Sequence, residues 1–168
     1  MAEYANGEMV LNVSLVGSFY GKHASLARPH LTFDNFVLEC DSRWSGGAVG
    51  GTYGVMFRYQ GGDMQQDSSY YGIYIGNDGR YEVGKQVNYD WITLLEGFSD
   101  TIDRSGGVNR FHIEANGHNL RFFINGQLLS SLFDVDYDLG DIMLVAWKPN
   151  GAELFKASFD NLIVVRYP

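Results

Sequence analysis

Arg58, Tyr74, Arg80 and Glu82 stand in or beside three short runs, Tyr53–Tyr59, Tyr70–Ile75 and Tyr81–Val87, in which apolar residues recur at every second place. If Val55, Phe57, Ile73, Ile75, Tyr81 and Val83 turn inward from strands, then Met56, Arg58, Gly72, Tyr74, Arg80 and Glu82 share the opposite face. That face mixes an aromatic ring, two guanidinium groups, a carboxylate and a glycine that leaves room, and Trp91 follows closely in the sequence. Pyranose rings stack their C–H faces on Tyr and Trp, while Arg and Glu bond their hydroxyls, so these residue types suit a shallow sugar platform. The plainer role for the same residues is a cross-strand ion pair between Arg58 and Glu82, worth about 0.2–1 kcal/mol.

Other chemistries find fewer parts. There is no Gly-x-Ser-x-Gly elbow and no His-Glu-x-x-His pair, and His23, His30, His112 and His118 are scattered. A single cysteine, Cys40, excludes an internal disulfide and a Cys-based zinc site, and reads as a small buried strand residue. Asp134-Val135-Asp136-Tyr137-Asp138 has the spacing that opens an EF-hand loop. The sixth and twelfth places, where that loop needs Gly and Glu, hold Leu139 and Val145, which leaves an acidic solvated turn. One pattern recurs, Phe33-Asp34-Asn35 and Phe159-Asp160-Asn161. It reads as a turn that launches a strand, or as Asp160 and Asp34 offering hard oxygens at strand ends to a structural calcium ion.

These residues need a scaffold, and the composition limits what it can be. The 168 residues fit one domain spanning 1–168, with 45% hydrophobic and 15% aromatic residues to build a core. The formal charge of −8 repels phosphate backbones and anionic lipid heads, so nucleic acid is not an expected partner. The longest unbroken apolar run, Ile142–Trp147, falls far short of the roughly 20 residues of a membrane helix, and no basic stretch leads into an apolar one at the start. No membrane insertion is expected.

No helical stripe holds over three turns, and the chain reads as all-β. Strands are expected at Met9–Phe19, Phe36–Arg43, Tyr53–Tyr59, Tyr70–Ile75, Tyr81–Val87, Trp91–Leu95, Arg110–Ala115, Leu120–Ile124, Gln127–Leu132, Ile142–Trp147 and Leu154–Val165, the last broken near Asp160. Asn77-Asp78-Gly79, Asn116–Asn119 and Asn125-Gly126 supply the positive φ angles of tight hairpins, so the strands they join are antiparallel neighbours. About eleven short strands with one apolar side call for two stacked antiparallel sheets, a β-sandwich.

Tyr70–Tyr81, Asn109–Gly117, the Ile124-Asn125-Gly126 hairpin, Gly140-Asp141-Ile142 and the closing Phe159-Asp160-Asn161-Leu162 together resemble the concanavalin A-like lectin/glucanase jelly roll. More narrowly, the order of these motifs over residues 30–166 is similar to laminin-G-like and 3-keto-disaccharide-hydrolase-type domains. The resemblance implies a concave sheet that receives glycans and, in some members, a structural calcium. It makes Arg58, Tyr74, Glu82 and Trp91 the expected carbohydrate contacts. Laminarinase-type enzymes of the superfamily carry E-x-D-x-x-E on one strand; here Glu39 and Asp41 match, but Trp44 stands where the second Glu belongs. Glu82 with Glu114 is the one other carboxylate pairing to consider. The expectation is therefore a non-catalytic, lectin-like recognition module for a glycan or polysaccharide, in an extracellular or cell-surface setting. The alternative is a structural protein that self-assembles through sandwich edges, a possible homo-oligomer, with Met9–Phe19 as the strand that would join a neighbour's sheet.

Overall fold

The computed structural model describes residues 2–5, 7–14, 25–27, 32–61, 68–88, 90–148 and 151–167. Within them lie thirteen strands: β1 Ala2–Ala5, β2 Glu8–Ser14, β3 Ser25–Ala27, β4 Phe36–Gly47, β5 Thr52–Gln60, β6 Ser69–Gly76, β7 Arg80–Val87, β8 Asp90–Phe98, β9 Asn109–Asn116, β10 Asn119–Ile124, β11 Gln127–Phe133, β12 Asp141–Trp147 and β13 Leu154–Arg166. They form a seven-stranded sheet in the order β1-β2-β13-β4-β9-β10-β11 and a six-stranded sheet in the order β3-β12-β5-β6-β7-β8. Every ladder is antiparallel. All eleven expected strands are present in whole or part; the short β1 and β3 are additional.

The core lies where the alternation put it. Val55, Phe57, Ile73, Ile75 and Val83 from one sheet meet Leu38, Phe111, Ile113, Leu120, Phe122 and Ile124 from the other, all fully buried. Asn125 and Gly126 close the β10–β11 hairpin at φ 51° and 81°, the geometry for which an Asn-Gly pair is suited. Asp160 and Asn161 mark a bulge inside β13, not the start of a strand: the register against β4 shifts between Asp160 and Ile163, and Asn161 sits at φ 51°. The expected break near Asp160 is this bulge.

The strand suspected of joining a neighbour is occupied within its own sheet. Val10 and Met9 pair with Ser158 and Phe159 of β13 on one side and with Glu3 and Tyr4 of β1 on the other. Residues 15–19 of that expected strand lie outside the described residues.

Candidate functional site

The six-stranded sheet carries a second apolar cluster on the face turned away from the core. Met56, Tyr59, Tyr70, Tyr74, Met143 and Val145 are buried there, with Trp91 and Trp147 packed against them. The pleat dictates which residues meet. Tyr74 pairs with Glu82, Gly72 with Gly84, and Tyr70 with Gln86, which in turn opposes Trp91, so these side chains emerge on one side. Two glycines give the rings their seats. A Cβ at Gly72 would run into the Tyr74 hydroxyl, and one at Gly84 would run into the Trp91 indole, so both rings lie flat against the sheet.

The rings form a continuous arc. Trp147 stands edge-on to Tyr74 with centroids 4.4 Å apart and 74° between planes; Trp91 lies 5.3 Å from Tyr74 and 6.1 Å from Tyr70; Tyr70 stacks on Tyr59 at 5.8 Å. Beside them is a cleft lined by Thr52, Tyr70, Tyr74, Glu82, Gln86, Trp91 and Trp147. Its polar groups are aligned by one another. Trp91 Nε1 donates to Glu82 Oε1 at 2.5 Å and Thr93 Oγ1 donates to the same oxygen at 2.6 Å. Tyr70 Oη donates to Gln86 Oε1 at 2.8 Å, and Gln86 Nε2 donates to Ser68 Oγ. The Tyr74 hydroxyl, only 4% of whose residue is exposed, has no hydrogen-bond partner of ordinary geometry. Burial pushes the Tyr70 phenol up to about 12 and raises that of Tyr74 well above its ordinary value, so both rings keep their protons at neutral pH.

Of the four expected carbohydrate contacts the structure unites Tyr74, Glu82 and Trp91, and it removes Arg58. At Arg58 the ladders of β5 with both β6 and β12 shift register, because one extra residue is inserted with φ 50°. The bulge turns Arg58 inward, fully buried, and puts Tyr59 on the cleft side in its place. The guanidinium donates to the carbonyls of Asp34 (3.2 and 2.9 Å), Tyr137 (2.8 Å) and Gly117 (2.7 Å). It ties together three loops, and the Arg58–Glu82 ion pair does not form.

The expected calcium pair is also not assembled. Asp160 pairs with Asp41 in the middle of β4, whereas Asp34 precedes that strand, a separation on the order of 20 Å at the rise of a strand. Among the described residues no three His, Cys, Asp or Glu side chains gather as a metal site would need. Asp134 and Asp136 do have a cation, since Lys85 extends its ammonium to both, at 2.7 Å from Asp136, and Tyr71 Oη donates to Asp134 at 2.5 Å. The solvated turn expected there is a half-buried ion cluster.

Glu39 and Asp41 of the incomplete E-x-D-x-x-E pattern project from β4 in the seven-stranded sheet, where Leu38 and Cys40 face the core. Glu39 contacts His112 Nδ1 at 3.1 Å and Asp41 binds Arg110 and Asn161. Glu114 belongs to the same outward network, 3.2 Å from His112 Nε2, so it is across the sandwich from Glu82 and the two cannot act as a pair. The carboxylate that does oppose Glu82 is Glu96, its register partner on β8. Sequence reasoning missed Glu96, Tyr59, Tyr70, Gln86 and Trp147; the aromatic spacing Tyr70-x-x-x-Tyr74 on one strand face was the available signal for one of them.

Two antiparallel sheets in this order form a jelly roll with the concanavalin A-like fold, and the aromatic cleft lies on one of its outer faces. The chain belongs to the family described as the 3-keto-alpha-glucoside-1,2-lyase-like domain, whose model matches residues 3–164. A carbohydrate-binding module, CBM66 from Bacillus subtilis, superimposes with a TM-score of 0.76 at 17% identity, over 98% of this chain and 90% of that one. A prokaryotic β-1,3-1,4-glucanase (lichenase) derived from a mouse hindgut metagenome gives 0.74 at 15% identity, over 99% and 83%. A Bacillus subtilis protein with a galectin-like fold gives 0.71 at 14%, over 98% and 86%. At these identities the likeness is one of fold. No curated protein matches the sequence.

Proposed function

We propose that the chain is a lectin-like module that recognises a glycan in the cleft over Gly72 and Gly84, without transforming it. The observation that carries this reading is the juxtaposition of Tyr74, Trp91 and Trp147 around a fixed carboxylate. The half-buried Trp91 and Trp147 rings, tilted and edge-on against Tyr74, offer C–H-binding surface, and Glu82, Gln86 and Thr52 offer acceptors and donors to hydroxyls. Glu82 is already bonded through Oε1 to Trp91 and Thr93, an arrangement that orients an acceptor well. The remnant of the glucanase motif supports a binding role, because Glu39 and Asp41 project from the other sheet, away from the cleft. A glycan polymer outside the cell or on its surface is the partner and setting this reading favours.

A glycan array compares the wild-type chain with Trp91→Ala. Trp91 is half-buried at the rim, so its loss removes a stacking face rather than a core residue. Losing an aromatic contact worth about 0.5–1.5 kcal/mol should weaken every positive signal roughly two- to tenfold. Signals unchanged in the variant would place recognition elsewhere on the molecule.

A further inference from the structure

The aromatic cleft does not end at Glu82. It continues along β7 and β8 into a second hollow whose border includes Arg80, Glu82, Glu96 and Phe98. Tyr74 and Glu82 line both parts, so a ligand seated on the rings meets the second hollow directly. Glu82 and Glu96 are opposed across the β7–β8 ladder, which sets their Cβ atoms about 4.5–5.5 Å apart on the same face.

The charge of this pair is left uncompensated. Among the described residues nothing donates to Glu82 Oε2, and Glu96 has neither a hydrogen bond nor an ion pair. The one cation among the described border residues, Arg80, is held by Asp78, with Nε 2.7 Å from Oδ2 and the backbone N–H on Oδ1. Like charges opposed across a ladder disfavour the fold, and a carboxylate only accepts hydrogen bonds. A second feature lies beside it in the cleft: the Tyr74 hydroxyl, buried over Gly72 with the Tyr70 phenol next to it, makes no hydrogen bond of ordinary geometry. A bound molecule rich in donors would satisfy the two carboxylates, and one bearing negative charge would add a third anion to the pair. The chain's overall charge of −8 works in the same direction.

Resting on the carbohydrate reading above, we infer that the cleft ranks sugars by charge: amine-bearing glycans bind more tightly than neutral ones, and neutral ones more tightly than those carrying uronate or sulfate. Glu96, with Glu82, is the determinant of that ranking.

The test is an array printed with neutral, amine-bearing, uronate-bearing and sulfated oligosaccharides, probed at a pH that keeps the amines protonated, at low and at high salt. Amine-bearing sugars should reach half-saturation at about 2–10-fold lower protein concentration than neutral counterparts of the same linkage, as expected for contacts with partly exposed carboxylates. Salt should compress the differences. Glu96→Gln should bring the amine-bearing and neutral series closer together; Glu96 is exposed, so thermal melting should show the variant folded. Anionic sugars binding as well as neutral ones, or a ranking indifferent to Glu96→Gln, overturns the inference while leaving glycan recognition standing. No binding to any printed sugar overturns the carbohydrate reading and this inference with it.

Discussion

Replacing Arg58 by Met is expected to cost about 3–5 kcal/mol of folding stability while leaving the cleft able to bind. The guanidinium makes four hydrogen bonds to the carbonyls of Asp34, Gly117 and Tyr137, from a side chain with no exposure to solvent. Met fills a similar volume but donates nothing, so three carbonyls lose their partner, each at about 1–3 kcal/mol where water cannot replace it. Returning an arginine charge from the interior to water offsets part of that sum. The backbone at φ 50° is equally unfavourable for Met and Arg, so strain does not change between them. For a chain of this size the loss corresponds to a fall in Tm of roughly 10 °C. Calorimetry and urea denaturation read the stability, and the same array read below the variant's Tm reads binding. A loss under about 1 kcal/mol would show that the three loops hold themselves without the arginine. Abolished binding by a folded Arg58→Met protein would return Arg58 to the site.

Three further outcomes follow from the geometry. Gly72→Val should abolish glycan binding with the inner core intact, because its side chain takes the space of the Tyr74 ring end; retained binding would show that the ring position is immaterial. Cys40 is buried, and desolvation pushes its thiol up to about 12, so an alkylating reagent should modify it only at the rate of unfolding; rapid labelling of native protein would contradict its placement. The Asp103 carboxyl is held below the ordinary value by the N–H groups of Gly107 and Ser105. Such a group contributes its full stability above the unfolded pKa of roughly 4 and loses it as pH falls through the lower folded value. Asp103→Asn should therefore lower Tm at pH 7 and flatten the acid limb below pH 4, whereas a Tm deficit that grows toward low pH would refute the assignment.

The sheets were legible because period and punctuation agreed. Phe111-His112-Ile113-Glu114-Ala115 alternates with buried and outward residues as it reads, and Asn125-Gly126 closes the hairpin its types require. The cleft was legible only in part. Tyr74 and Glu82 follow from alternation within unbroken strands, but the same rule fails at Arg58, since an inserted residue reverses every side chain beyond it and no local motif announces an arginine at positive φ. Tyr59 was missed through the same bulge, which turns it to the cleft side, whereas Trp147 was invisible for another reason: it reaches the cleft through the pairing of β12 with β5, a long-range contact that no hairpin signal specifies. The Glu82–Glu96 opposition depends on the β7–β8 register, shifted at Val83 and Gly84 by a bulge, and a count of residues across that turn would not have found it.

The chain has 3 Trp, and their indole N–H signals in a ¹H–¹⁵N spectrum provide the most direct test of where a glycan sits. Trp91 and Trp147 flank the cleft, while Trp44 lies on β4 of the other sheet with its Nε1 donating to Gly46 O at 2.8 Å. Titration with an array-positive oligosaccharide should shift the Trp91 and Trp147 signals together and leave that of Trp44 in place. A shift confined to Trp44, or three unmoved signals at saturating sugar, would contradict recognition by the aromatic cleft.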